Sequence, residues 1–258
     1  MDRPELAALD LVQHGLAGAA EQSCGFGQRD EALGHLGDEA SPDLVAETDP
    51  PGSACIVAEL APREPEVHGL VALMEIQASR SRARVGPAGE PVLLLAQDRA
   101  RWDGVLIRRG LAALERAERL GGALGPYALQ AAIAACHARA RTGAETDWQR
   151  IAALYDALAQ VAPSPVVELN RAVAVSMAFG PAAGLELVDA LTDEPSLEGY
   201  HLLPSVRGDL LTRLGRFDEA RRELERAASL TRNERERTLL LERARGVAEP
   251  VELRTDLA

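Results

Sequence analysis

The sequence predicts an all-α fold built of antiparallel helix pairs. From Ile56 onward, segments of helical length alternate with short breakers rich in Gly and Pro. No segment alternates apolar and polar residues in the way a half-buried strand does. The palette points the same way. Of 258 residues, 47% are hydrophobic but only 3% aromatic, so the core is made of Ala, Leu and Val, which suit closely packed helices. The chain is long enough for one large domain or two small ones.

Residues 1–54 read as an acidic head. Gly15, Gly18, Gly25, Gly27, Gly34, Gly37 and Gly52 punctuate it and Pro50-Pro51 closes it, so poor structure is expected, with at most short helical pieces at 4–13 and 28–36. A helical domain is expected over 55–246, followed by a tail at 247–258. Its helices are predicted near 66–84, 98–120, 126–141, 147–161, 165–179, 181–192, 201–214, 216–230 and 233–245. The breakers between them include Gly86-Pro87, Gly121-Gly122, Gly125-Pro126, Pro163-Ser164-Pro165, Gly180-Pro181 and Gly215. The run VLLLA at 92–96 reads either as a short strand or as the entry to the next helix.

One pair shows a repeat pattern. In HLLPSVRGDLLTRLGRFDEARRELERAASLTRN, residues 201–233, Gly208 is small where two antiparallel helices approach. Leu211 is the large apolar residue that follows, and Gly215 makes the turn. Phe217, Ala220, Leu224 and Ala227 are the packing positions of the second helix. This spacing resembles a tetratricopeptide (TPR) repeat, although Arg232 or Asn233 stands where that repeat ends in proline. Residues 147–163, with Tyr155 and Pro163, and residues 165–192, around Gly180-Pro181, read as degenerate copies. The expected architecture is therefore a short TPR-like solenoid of stacked helix pairs.

Charge narrows the function. Residues 1–55 hold eleven Asp and Glu against two Arg, a net −9 of the chain's −12, and the other 203 residues carry −3. All 28 basic residues are Arg. With no dense basic stripe, direct nucleic-acid binding is not expected. Cys24, Cys55 and Cys136 form no CxxC pair, which argues for reduced thiols and a cytoplasmic location. No apolar run reaches the roughly 18 residues of a membrane span. His14, His35, His68, His137 and His201 show no metal-ligand spacing, and no phosphate-binding or nucleophile motif occurs. Neither an enzyme nor a cofactor is expected, and the partner class is protein.

Two sets of residues stand out. The first is Asp98-Arg99-Ala100-Arg101-Trp102-Asp103, four charges around one of only two tryptophans. Asp98 is placed to cap a helix that starts there. Trp102 would then share an inward stripe with Leu106, Gly110, Leu114 and Ala117, and Arg99 would reach Asp103 four residues on. A partner contact through Asp98, Arg99, Arg101, Trp102 and Asp103 competes with that purely architectural reading. The second set is Asn170 and Arg171, with Tyr200, His201 and Arg207, as candidates for a polar concave groove. The competing reading of Asn170 is an interhelix hydrogen bond.

A longer resemblance runs through HGLVALMEIQASR (68–80), QDRARWD (97–103), GPYALQAAIAACHA (125–138), TDWQRIAALYDAL (146–158), PSPVVELNRAVAV (163–175) and GYHLLPSVRGDLLTRLGR (199–216). Together with the final repeat, these blocks resemble the C-terminal extension of a group of bacterial extracytoplasmic-function RNA polymerase sigma factors, in which a DRxRWD motif marks a TPR-like extension. The likeness covers about Ile56 to Ala244. It implies a role in regulating transcription initiation through contacts with sigma domains, polymerase or a regulator. Residues 1–54 are too short and too acidic for the two promoter-binding domains that precede the extension in that family, and they hold no basic recognition helix. The expectation is a regulatory extension without promoter recognition of its own. The alternative is a stand-alone TPR adaptor for another protein or peptide.

Overall fold

The computed structural model describes residues 58–87 and 92–247. The expectations for residues 1–54 and for the tail beyond Val247 lie outside the described residues. Within them the chain is helical, and no β-strand is present. The α-helices are α1 (Pro65–Ala78), α2 (Gly104–Arg119), α3 (Pro126–Arg139), α4 (Trp148–Val161), α5 (Pro165–Phe179), α6 (Pro181–Asp189), α7 (Leu202–Arg213), α8 (Phe217–Leu230) and α9 (Glu234–Gly246).

Local chemistry sets most of these starts. Pro126, Pro165 and Pro181 occupy the first turns of α3, α5 and α6, where a missing N–H loses nothing. Asp147, Ser164 and Asn233 cap α4, α5 and α9 by accepting backbone N–H groups. Gly180 and Gly215 turn the chain at φ 103° and 75°, a left-handed backbone that a Cβ would strain. The cap of α3 comes from a distance. Its N-cap residue is Gly125, which has no side-chain acceptor, and the Glu66 carboxylate of α1 accepts Tyr127 N–H at 2.9 Å.

Each helix packs chiefly on its neighbours in the chain, and α1 also lies against α3. Small residues set the closest approaches. A Cβ on Gly69 of α1 would stand 2.7 Å from the Ala128 nitrogen of α3, and one on Gly208 of α7 would stand 2.9 Å from Leu224 Cγ of α8. The expected packing positions of the last pair are filled accordingly. Leu211, Ala220, Leu224 and Ala227 are buried, and Phe217 packs half-buried at the edge of the same cluster. Tyr155 is buried between α3 and α4 residues.

Two boundaries differ from expectation by six residues, and α6 ends at Asp189, three residues before its expected end at 192. Helix α1 stops at Ala78, six residues early, and only a 3-10 turn at Ser81–Ala83 follows. Helix α2 starts at Gly104, six residues late. The stretch 92–96 is not a strand, and Leu94–Ala96 is a 3-10 turn. These differences create an irregular connector between α1 and α2, where DRARWD lies.

Candidate functional site

Each residue of DRARWD has a defined place in this connector. Asp98 caps only a 3-10 turn, Arg99–Arg101, accepting Ala100 N–H at 2.9 Å. The long helix is capped by Asp103, which accepts Val105 and Leu106 N–H at 2.8 and 3.2 Å. The expected helix start at Asp98 and the expected Arg99–Asp103 pairing are thus corrected. A tertiary bond explains why: Asp103 N–H donates to Ser79 O at 2.9 Å and ties the chain to the end of α1.

Trp102 does point inward, at 6% exposure, but not on the stripe of α2. It packs with Ala83 and Leu94 under Ile107 and Ala138, whereas Leu114 and Ala117 join a separate cluster with Ala72 and Ile76. The Arg99 guanidinium lies over the Trp102 ring, 4.3 Å from its centre, and the Arg80 guanidinium lies 5.7 Å from it. Arg99 is half-buried, not the exposed contact expected, and donates to the His137 carbonyl of α3. Burial pulls its pKa below the ordinary value. Arg101 is exposed, and its guanidinium reaches Val85 O at 3.4 Å. The connector also meets the α3–α4 loop, where a Cβ on Gly143 would stand 2.8 Å from Leu95 O.

His137 forms the floor of this region. Its ring meets Trp148 edge-on, with centres 5.3 Å apart. Burial first, and then the Arg80 and Arg99 charges, hold its pKa down at about 3 from an ordinary 6.5. The folded state therefore keeps His137 neutral while the unfolded chain takes up a proton below pH 6.5. Stability present above pH 6.5 is lost as the pH falls toward 3, by about 1.4 kcal/mol per unit. Urea titrations at pH 6.5 and 5.0 should differ by about 2 kcal/mol more in the wild type than in His137→Gln. Equal pH dependence in the two proteins would refute the neutral buried imidazole.

The groove candidates do not form one exposed site. Asn170 is 2% exposed, and neither end of its amide has a hydrogen-bond partner, so the interhelix bond expected of it is not made. Arg171 pairs with Asp156 at 3.0 Å and Glu168 at 2.8 Å. Arg207 pairs with Asp189 and Glu223, both at 2.8 Å. Tyr200 is half-buried against the core, and His201 Nε2 lies 3.3 Å from Glu236. Arg171 and Arg207 therefore join neighbouring helices instead of facing a ligand.

Sequence reasoning missed two buried carboxylates. Glu75 of α1 pairs with Arg109 at 2.6 Å, and burial raises its pKa despite that cation. Asp209 of α7 meets Arg243 of α9 at 2.9 Å, with both side chains under 10% exposed. An acidic residue inside the apolar runs LMEIQ and GDLL was the available signal. Among the described residues there is no cluster of three His, Cys, Asp or Glu placed to hold a metal ion, and no helix long and apolar enough to cross a membrane.

Comparison with known proteins adds a frame. Residues 53–118 match the model of a family of unknown function, DUF6596. That stretch takes in α1, the whole connector and nearly all of α2. An uncharacterised protein of Rhizobium meliloti (strain 1021) is 48% identical over 178 residues, which are 69% of this chain and 41% of the relative. The chain thus spans well under half the length of the curated relative it matches. No solved structure matches it.

Proposed function

We propose that the chain is a non-catalytic protein-interaction module, a TPR-like array that regulates transcription initiation in the manner of a sigma-factor extension. The observation that carries this is the connector. DRARWD is held by two caps and a buried tryptophan, yet it leaves Arg101 exposed, with its guanidinium at the Val85 carbonyl. Such presentation of an exposed charge suits a contact surface better than a hinge. A regular spacing supports the TPR-like stacking. Ala172, Gly208 and Ala244 recur every 36 residues at buried positions, each preceded by an arginine, Arg171, Arg207 and Arg243, paired to an acid. The sequence blocks that resemble the sigma-factor extension all fall on this helical body.

The test is affinity capture from a bacterial lysate with the tagged chain, compared with Arg101→Ala. That variant removes the exposed charge and touches neither cap. RNA polymerase subunits or a sigma factor should be enriched by the wild type and reduced severalfold by the variant. Recovery of none of them would overturn the transcription reading and leave an adaptor for another partner.

A further inference from the structure

We propose that residues 30–49 of this chain dock on the arginine face of the DRARWD connector, so that the chain masks its own contact surface. This concerns the regulation of the contact proposed above, and its test needs no partner.

Charge names the occupant. The stretch DEALGHLGDEASPDLVAETD, residues 30–49, holds seven Asp and Glu and no Arg, a net −7 of the chain's −12. It lies outside the described residues. Its tether to the helical body is short but sufficient. The chain from Asp49 to Ala58 spans up to about 30 Å when extended. Helix α1 follows, with 14 residues and a length of about 21 Å, and the connector leaves its far end. Joined to the connector in one chain, the acidic stretch acts at an effective concentration on the order of millimolar.

The receiving face carries the opposite sign. Residues 79–103 and 139–150 hold eight Arg against five Asp and Glu, Glu90 included, a net +3. Three contacts gather these stretches. Arg99 donates to the carbonyl of His137, two residues before Arg139. Arg101 Nη1 donates to Val85 O at 3.4 Å, three residues after Arg82. A Cβ on Gly143, two residues after Arg141, would stand 2.8 Å from Leu95 O. Arg82, Arg101, Arg139 and Arg141 are exposed, and none of the four has an acidic partner among the described residues. The acids beside them are partly engaged. Asp98, Asp103 and Asp147 cap helical turns, and Glu145 accepts Arg141 N–H. A single exposed ion pair contributes little, so several must form together. Seven acids in one stretch facing four arginines meet that need, and docking there covers Arg101, the exposed residue of the proposed contact.

Energy transfer within the full chain tests this. In a Trp148→Phe, Cys55→Ser background Trp102 is the sole donor, and Cys24, six residues before the acidic stretch, carries a dansyl acceptor. Cys136 is buried and stays unlabelled in the folded chain. Transfer should be strong at low salt and fall at least about twofold in about 1 M salt, where the screening length is about 3 Å. Asp38→Asn, Glu39→Gln, Asp43→Asn, Glu47→Gln and Asp49→Asn together should lower it as much while changing no described residue. Arg82→Gln, Arg101→Gln, Arg139→Gln and Arg141→Gln together should also lower it. The same change at four exposed arginines elsewhere, Arg119, Arg222, Arg232 and Arg235, should not. If the fourfold connector variant is misfolded by circular dichroism, the Arg82 and Arg101 pair and the Arg139 and Arg141 pair are changed separately, and each should lower transfer. Transfer that ignores both salt and the neutralised stretch overturns the proposal. Equal loss in the connector and control variants overturns the choice of this face. Neither polymerase nor a sigma factor is present, so the capture experiment judges the transcription reading on its own.

Discussion

Asp209→Ala should destabilise the chain by about 3–5 kcal/mol in urea titrations, one of the two largest single-residue effects expected here. Asp209 and Arg243 are 8% and 9% exposed at the side chain and meet at 2.9 Å. Burial pulls the Arg243 pKa down, and the Asp209 charge works against that shift. Deleting the acid leaves a guanidinium in the core between α7 and α9 with no counter-charge. Removing both charges is a different experiment. Asp209→Leu with Arg243→Met replaces the pair by apolar groups of similar size and should stay within about 1–2 kcal/mol of the wild type. A single substitution that costs less than about 1 kcal/mol would mean that Arg243 escapes to solvent and the pair contributes little.

Trp102→Ala should cost a similar amount, about 3–5 kcal/mol, for a different reason. The ring fills the space between Ala83 and Leu94, and two guanidiniums lie over its face. Truncation empties that space and removes the surface on which Arg99 lies. Trp102→Phe keeps most of the volume and should recover more than half of the loss. Thermal unfolding followed by far-ultraviolet circular dichroism would read both variants, with a shift of about 2–4 °C for each kcal/mol in a chain of this size. An unchanged midpoint for Trp102→Ala would show that the connector is not fastened to the core.

Most helix boundaries were legible because they depend on nearby residues. Prolines at first turns, Asp and Asn caps and left-handed glycines act over three or four positions, and the helices from α3 onward begin within one residue of where these signals fall. The connector was not legible in the same way. Asp98 and Asp103 are both competent caps, and the pattern from Trp102 to Ala117 fits a helix. What selects the second cap is Ser79 O receiving Asp103 N–H, together with the seat for Trp102 made by Ala83 and Leu94. Neither contact leaves a local trace. Periodicity also treats an acid as a surface residue, so it gave no warning that Glu75 and Asp209 face inward. Their partners, Arg109 and Arg243, lie 34 residues further along the chain in each case. The motif that marked the candidate site was visible at once. That Arg99 sits over the ring of Trp102 required the fold.

Packing each helix mainly on its chain neighbours has a mechanical consequence. Each local core is filled mainly by side chains from helices adjacent in the chain, so a substitution there acts first on the two helices that share that interface. Leu95 of the connector packs against the cluster that Leu210 and Leu211 share with α8 and α9, so the connector is tied to the later helices as well as to the Trp102 cluster.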